Sequence, residues 1–184
     1  MAALDDEAEW IRLCQTGDRA AFEQLVTRYQ HMVHSLAYRM TGSLAEAEDL
    51  TQEAFLQAWR RIESFHGQAR FSSWIHRITV NVCLNWHKRR TRREQTEQAW
   101  MTGAATPPAS DEAGNDARQE MISDVQRALL KLHSRQRAAI FLTVYEELSH
   151  AEAARVLGCA EVTVSWRVFA ARRKLKRLLN QKRR

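Results

Sequence analysis

Proline is nearly absent from this 184-residue chain: there are two, Pro107 and Pro108, side by side. Glycine is also sparse, at six residues. With so few breakers and no sustained period-two alternation, long helices are the expected secondary structure. The three cysteines, Cys14, Cys83 and Cys159, are far apart and form no CxxC or Cys/His spacing. That excludes a disulfide framework and a zinc site, and it predicts reduced, buried thiols. No stretch approaches the roughly 20 apolar residues of a membrane span, and the acidic Met1–Trp10 segment lacks the apolar run of a signal peptide. A cytoplasmic location is the expectation. Nucleophile–base pairs, a phosphate loop and metal-ligand spacing are missing as well, so no catalytic residue, metal or cofactor is expected; His66 and His76 stand alone.

One further absence is local. Residues 70–93 hold seven basic side chains and no acidic one. Residues 125–184 form a second cationic block, with fourteen basic groups against four acidic. The segments before each block are net acidic: −2 for 1–40, −3 for 41–63 and −5 for 97–124. Two separated cationic blocks suit two contacts with a polyanion, and an acidic face suits a protein partner.

Between the breakers, apolar residues recur at three-and-four spacing. Asp5 to Thr16 reads as a short helix ended by Gly17. Asp18 then caps a long one carrying Leu25, Val33, Leu36 and Met40 on its inner stripe. Gly42 ends it, and Ser43 with Glu46 forms a capping box for a third helix running to about Ser64. A loop from Phe65 to Arg70 precedes a fourth helix, from about Ser72 to Arg93. Residues 95–118, with Gly103, Pro107, Pro108 and Gly114, lack periodicity and read as a flexible linker. The chain thus divides into 1–94, the linker 95–118, and 119–184: an all-α protein of two small helical domains.

In the second domain, Ser149 and Glu152 open a short helix that Gly158 closes. After a tight turn, a cationic helix begins near Val162. A capped helix, a glycine turn and a basic helix make a helix-turn-helix, whose second helix meets base edges in the major groove. Thr163, Ser165, Trp166, Arg167 and Phe169 stand at the front of that helix as base-contact candidates, with Arg167 able instead to brace the fold. Arg173 and Lys176 follow as phosphate contacts. The competing reading of this segment alone is an amphipathic hairpin with a basic surface.

The motif Ala47-Glu48-Asp49-Leu50-Thr51-Gln52-Glu53-Ala54-Phe55 with Ala58-Trp59 resembles the core-binding helix of bacterial sigma factors. Phe71-Ser72-Ser73-Trp74-Ile75-His76-Arg77-Ile78, then Asn81 and Arg89-Arg90, resembles their promoter-melting helix, and the helix-turn-helix resembles the same family's second conserved region. The compact two-region layout resembles the extracytoplasmic-function (ECF) branch of the sigma-70 family. The resemblance implies that Asp49, Gln52 and Glu53 face a coiled coil of the polymerase clamp, with the second region near the flap. It further implies that the loop Phe65, His66, Gly67 and Phe71, with Trp74 and Asn81, captures an unpaired base of the minus-ten element. Lys88, Arg89 and Arg90 then hold the adjacent backbone. The helix-turn-helix takes the minus-thirty-five element, and an anti-sigma factor restrains the protein, in a stress or envelope response. The chain departs from the family pattern at Asn85, His133, Ser165, Trp166 and Ala170, the last three where bases are read. The rival reading is a stand-alone helix-turn-helix regulator with a sensing or dimerising first domain, and a third is a sigma-like adaptor that does not melt DNA.

Overall fold

Local capping chemistry sets where each helix begins and ends. The structure, a computed structural model, describes residues 2–100 and 117–182, with side chains described for 6–96 and 124–181. Helix α1 spans Ala2–Gln15 and α2 spans Arg19–Thr41. Asp18 starts α2 by accepting the Ala21 N–H at 3.1 Å. Gly42 ends it at φ +76°, a conformation that a β-carbon disfavours, and its N–H reaches the Tyr38 carbonyl at 2.7 Å. Ser43 then caps α3, Leu44–Arg61, by accepting the Glu46 N–H at 3.4 Å; a 3₁₀ turn, Ile62–Ser64, extends it.

Helix α4 runs Phe71–Trp100, seven residues beyond the end at Arg93 that the sequence pattern predicts. Residues 94–100 are helix-compatible and contain no proline or glycine, and Arg90 pairs with Glu94 at 2.8 Å one turn on. Most of the expected linker, 101–116, lies outside the described residues.

Helices α2, α3 and α4 pack around Leu25, Leu36, Met40, Ala54, Ile75 and Cys83, all essentially inaccessible to solvent. Helix α1 lies alongside, tied by Tyr29 Oη donating to Glu7 at 2.5 Å and by Gln15 Nε2 donating to the carbonyls of Phe65 (2.7 Å) and Ile62 (3.3 Å). Burial pushes the thiols of Cys14 and Cys83 up, to about 11 and about 12, so neither forms thiolate near neutral pH. Cys159 is half-buried, short of the full burial expected for it, and all three are unbridged.

The second half is also helical: α5 (Ala117–Leu130), α6 (Ser134–Ile140) continued by a π-helical turn (Phe141–Tyr145), α7 (His150–Leu157) and α8 (Glu161–Lys182). Its core joins Ala139, Leu142, Ala153, Val164, Val168 and Ala171. Among the described residues there is no strand.

The two halves meet through one buried cation. Arg137, 5% exposed, donates to the carbonyls of Leu129 (3.0 Å), Leu130 (2.5 Å) and Leu132 (3.3 Å) at the end of α5, and to the Met40 carbonyl at the end of α2. These carbonyls lie in or just past the last turns of the two helices, at the negative ends of their dipoles; the Leu129 carbonyl also accepts the Leu132 N–H at 3.0 Å. One guanidinium therefore caps both helices, and it remains cationic even though burial pushes it down to about 10. His87 Nε2 lies 2.8 Å from the same Met40 carbonyl. Burial, reinforced by the neighbouring Arg137 charge, holds its imidazole down at about 4, so it is neutral at physiological pH. Around this point the Arg39 guanidinium sits 3.9 Å from the Tyr145 ring centre, and His76 Nε2 lies 3.2 Å from the Glu146 carboxylate.

Candidate partner and nucleic-acid interfaces

A groove of about 810 Å³ separates α2 from α3 on the outer side of the first half. Phe22, Val26 and His31 line it from α2, and Gln52, Leu56 and Trp59 from α3. The Phe22 and Trp59 rings meet edge-on at 5.0 Å, so the floor is rigid. Leu56 is 45% exposed: two residues from each of the core positions Ala54 and Ala58, it lies on the opposite side of α3. Asp49 and Gln52 are exposed, and Glu53 is half-buried and accepts from Gln57 at 2.7 Å. By three-and-four spacing Asp49, Gln52, Glu53 and Leu56 share one face, an apolar centre with a polar and acidic surround. The sequence pattern singles out the three polar residues and leaves Leu56 unassigned, off the core stripe of Leu50 and Ala54.

The loop after α3 closes over a second cavity, of about 510 Å³, lined by Ile11 and Gln15 of α1 and by Phe65, His66, Gly67 and Phe71. Phe65 (8% exposed) and Phe71 (2%) are buried and pack with Trp74, each ring pair 5.3–5.6 Å apart. The two phenylalanines, meeting each other edge-on and Trp74 at tilted angles, form the floor beneath the loop, while His66 and Gly67 are exposed. Gly67 holds φ +68°, which lets the loop turn there.

Helix α4 has two unlike sides. His76, Val80, Cys83 and His87 recur at helical spacing and turn toward the second half or the core. On the opposite side, Trp74, Arg77, Asn81, Lys88 and Arg92 follow the same spacing, and Arg77, Asn81, Lys88 and Arg92 are exposed, with Trp74 half-buried. Docking of the second half therefore leaves the Asn81 face open. Arg77, four residues before Asn81, belongs to this face, although the sequence pattern offers no reason to select it. Arg89 is exposed. Arg90 points elsewhere: it pairs with Glu94 and lies 5.4 Å from the Trp86 ring centre.

In the second half the helix-turn-helix forms as its sequence predicts. Ser149 and Glu152 complete a reciprocal capping box on α7, and Gly158 closes that helix at φ +60°. On α8, Trp166 (65% exposed) and Phe169 (63%) face solvent, as do Arg173 and Lys176. Thr163, Ser165 and Arg167 are less open, and Arg167 donates to Cys159 Sγ at 3.4 Å, drawing it against the turn. Val162, 74% exposed, joins Trp166 and Phe169 on the outer face. In the sequence pattern it marks only the start of the helix.

A groove, a cationic helix with an aromatic-floored loop and a helix-turn-helix now stand on one chain, and family patterns match the same segments. Sigma-70 region 2 matches residues 25–93, and Sigma-70 region 4 matches 122–175. The ECF RNA polymerase sigma factor SigM of Mycobacterium tuberculosis (strain ATCC 25618 / H37Rv) is 39% identical over 176 residues, covering 94% of this chain and 84% of that protein. The chain belongs to the ECF sigma factors. It is a sigma factor, acting with RNA polymerase in promoter recognition and transcription initiation. Two solved structures of such factors are also similar. One, described as CnrH in complex with the cytosolic domain of CnrY, superposes with a TM-score of 0.70 at 25% identity, over 96% of this chain and 99% of that one. The other, the sigma factor RpoE with the anti-sigma factor NepR from Bartonella quintana, gives 0.67 at 28% identity, over 86% and 96%. A stand-alone regulator would have no reason to carry the region 2 segment, and that reading falls away for this sigma factor. No helix among the described residues is long and apolar enough to cross a membrane.

Proposed function

We propose that this sigma factor divides its work among three surfaces, with residues 1–94 and 119–184 as its working domains and 95–118 as the tether. The observation that carries the reading is the two-sidedness of α4: a packed inner side and an open outer side where Asn81 stands between Arg77 and Lys88.

The groove between α2 and α3 docks the clamp of core RNA polymerase. Leu56 and Trp59 supply the apolar contact, and Asp49, Gln52 and Glu53 supply a polar and acidic rim that suits a basic coiled coil. Replacing Gln52 and Leu56 together by Ala is expected to weaken core binding about tenfold or more, the scale of a modest hot spot, with the helical circular dichroism unchanged. Fluorescence anisotropy of labelled protein titrated with core enzyme measures this. Unaltered affinity would mean that another face docks.

The Asn81 face and the loop cavity hold the opened strand of the minus-ten element. An extruded base needs a pocket with an aromatic wall and amide groups nearby, while cations follow the backbone. Asn81 can donate and accept at once. Arg77, Lys88 and Arg89 follow the phosphates, and Trp74 supports the stack. Asn81→Ala is expected to cut strand opening about tenfold while duplex capture by the holoenzyme stays within twofold, since one bidentate contact contributes about 1–3 kcal/mol. Permanganate reactivity of promoter thymines reads opening, and mobility shift at low temperature reads capture. Equal loss in both would place Asn81 in duplex binding instead.

Helix α8 enters the major groove of the minus-thirty-five element, with Arg173 and Lys176 on phosphates, near the polymerase flap. The protein works in the cytoplasm without chemistry of its own. Similar factors have been captured with the cytosolic domain of CnrY or with NepR, and an anti-sigma factor restrains this chain in the same manner.

A further inference from the structure

The outward face of α8 changes character along its length. Val162, Trp166 and Phe169 recur at i, i+4 and i+7, and each is at least 63% exposed. Arg173 continues the same line at i+11, with Lys176 and Arg177 beside it, all exposed. The polar side chains of the first two turns are turned away or engaged. By helix geometry Glu161, Thr163 and Arg167 lie roughly 110°, 90° and 130° round the helix from the stripe's centre. Arg167 is also held by Cys159 Sγ. Ser165 Oγ donates to the Glu161 carbonyl at 3.2 Å and sits 2.8 Å from His150 Nδ1, so its only proton is engaged inside the domain. The side chains reaching furthest from the front of this helix are therefore apolar, and the later turns of the same face are cationic.

In the major groove one base-edge feature suits an apolar contact: the C5-methyl group of thymine. Guanine and adenine are read by bidentate Arg, Asn or Gln, and the stripe presents none of these in its first two turns. The four cations Arg172, Arg173, Lys176 and Arg177 suit a phosphate backbone on either side of the helix.

We propose that α8 reads its upstream promoter element chiefly through thymine methyl groups, packed against Val162, Trp166 and Phe169. The proposal rests on the reading that α8 enters the major groove, and it names what the helix recognises there. Val162 is a specificity residue in this scheme, and Arg167 a residue that positions the helix against the turn.

The test removes the methyl group and nothing else. Holoenzyme reconstituted from the full chain and core polymerase selects from promoters with a randomised upstream element. Selected duplexes are then resynthesised with deoxyuridine replacing thymidine, one position at a time on either strand. At two or more positions affinity is expected to fall about fourfold per methyl, the equivalent of ~0.8 kcal/mol for one buried CH₂-sized group. Trp166→Ala, at an exposed position where truncation leaves the core intact, should bind more weakly and lose sensitivity to deoxyuridine at one of them. Lys176→Ala should lower affinity for both forms alike. If deoxyuridine is neutral everywhere while Lys176→Ala still weakens binding, α8 sits in the groove and reads it by other means, which overturns the proposal alone. If deoxyuridine, Trp166→Ala and Lys176→Ala all leave binding unchanged, the groove reading fails with it, and a protein partner covers the stripe.

Discussion

Replacing Arg137 by Ala is expected to lower the stability of the chain by about 3 kcal/mol, a large share of what a domain of this size possesses. The side chain is buried, and its guanidinium serves four carbonyls, three at the end of α5 and one at the end of α2. Hydrogen bonds from a charged donor contribute about 1.5–3 kcal/mol each, while desolvating the cation costs several kcal/mol in return. Removing Arg137 recovers the second quantity and loses the first. It also leaves the acceptors buried at two helix ends where the dipole is already negative. Lysine restores the charge but not the planar fork, and one ammonium cannot span carbonyls on two helices, so Arg137→Lys should recover only a minor part. Urea unfolding followed by circular dichroism measures both variants. Amide exchange at the last turns of α2 and α5 should quicken together in Arg137→Ala, because one group caps both. A loss below about 1 kcal/mol, or exchange that quickens at one helix end alone, would sink the account.

Phe71→Ala is expected to cost about 3–5 kcal/mol, the usual range for a buried phenylalanine truncated to a methyl group. Its ring is 2% exposed and meets those of Tyr29, Phe65 and Trp74 at 5.3–5.6 Å. The functional consequence exceeds the loss of packing. Phe71 is the first residue of α4 and part of the floor of the loop cavity, so its removal frees the loop that the minus-ten reading needs ordered. Promoter opening should fall more than tenfold at temperatures where the variant remains folded, while upstream duplex contact through α8 persists. Phe71→Leu, which fills most of the volume, should lose under about 2 kcal/mol and retain most of the opening. If Phe71→Ala opened promoters normally once stabilised by low temperature, the floor would be dispensable.

Helix boundaries at Asp18, Ser43, Ser149 and Gly158 were legible because caps are local: the residue that ends or starts a helix sits within four positions of its partner. The segments of the three proposed interfaces stand out in the sequence for a similar reason, since charge and periodicity are properties of short windows. Arg137 was not. In sequence it is one of several cations in a polar run, and its partner Met40 is 97 positions away. Leu56 and Val162 stand off the core stripes of their helices, and the sequence carries no sign of whether an apolar residue there finds a neighbour; the fold leaves both exposed. Arg90 lay in a cationic run and Arg167 ahead of one, but whether each turns outward depends on Glu94, Trp86 and Cys159. The far end of α4 escaped because nothing local forbids helix before Gly103.

The tie between Gln15 and the backbone of Ile62 and Phe65 has a thermodynamic reading. Gln15 lies outside the segment shared with the wider family, residues 25–93, yet it fixes the entry to the loop from the far side. An ordered loop has already surrendered part of its backbone entropy, about 1–2 kcal/mol per residue fixed, before any strand arrives. A ligand that binds a preorganised loop loses less freedom on association, and the difference returns as affinity. On the proposed reading of the loop, the firmness with which this sigma factor holds an unpaired base would be set in part by α1, which need touch neither base nor polymerase. Variation in the first seventeen residues would tune that hold without altering a single contact to the base.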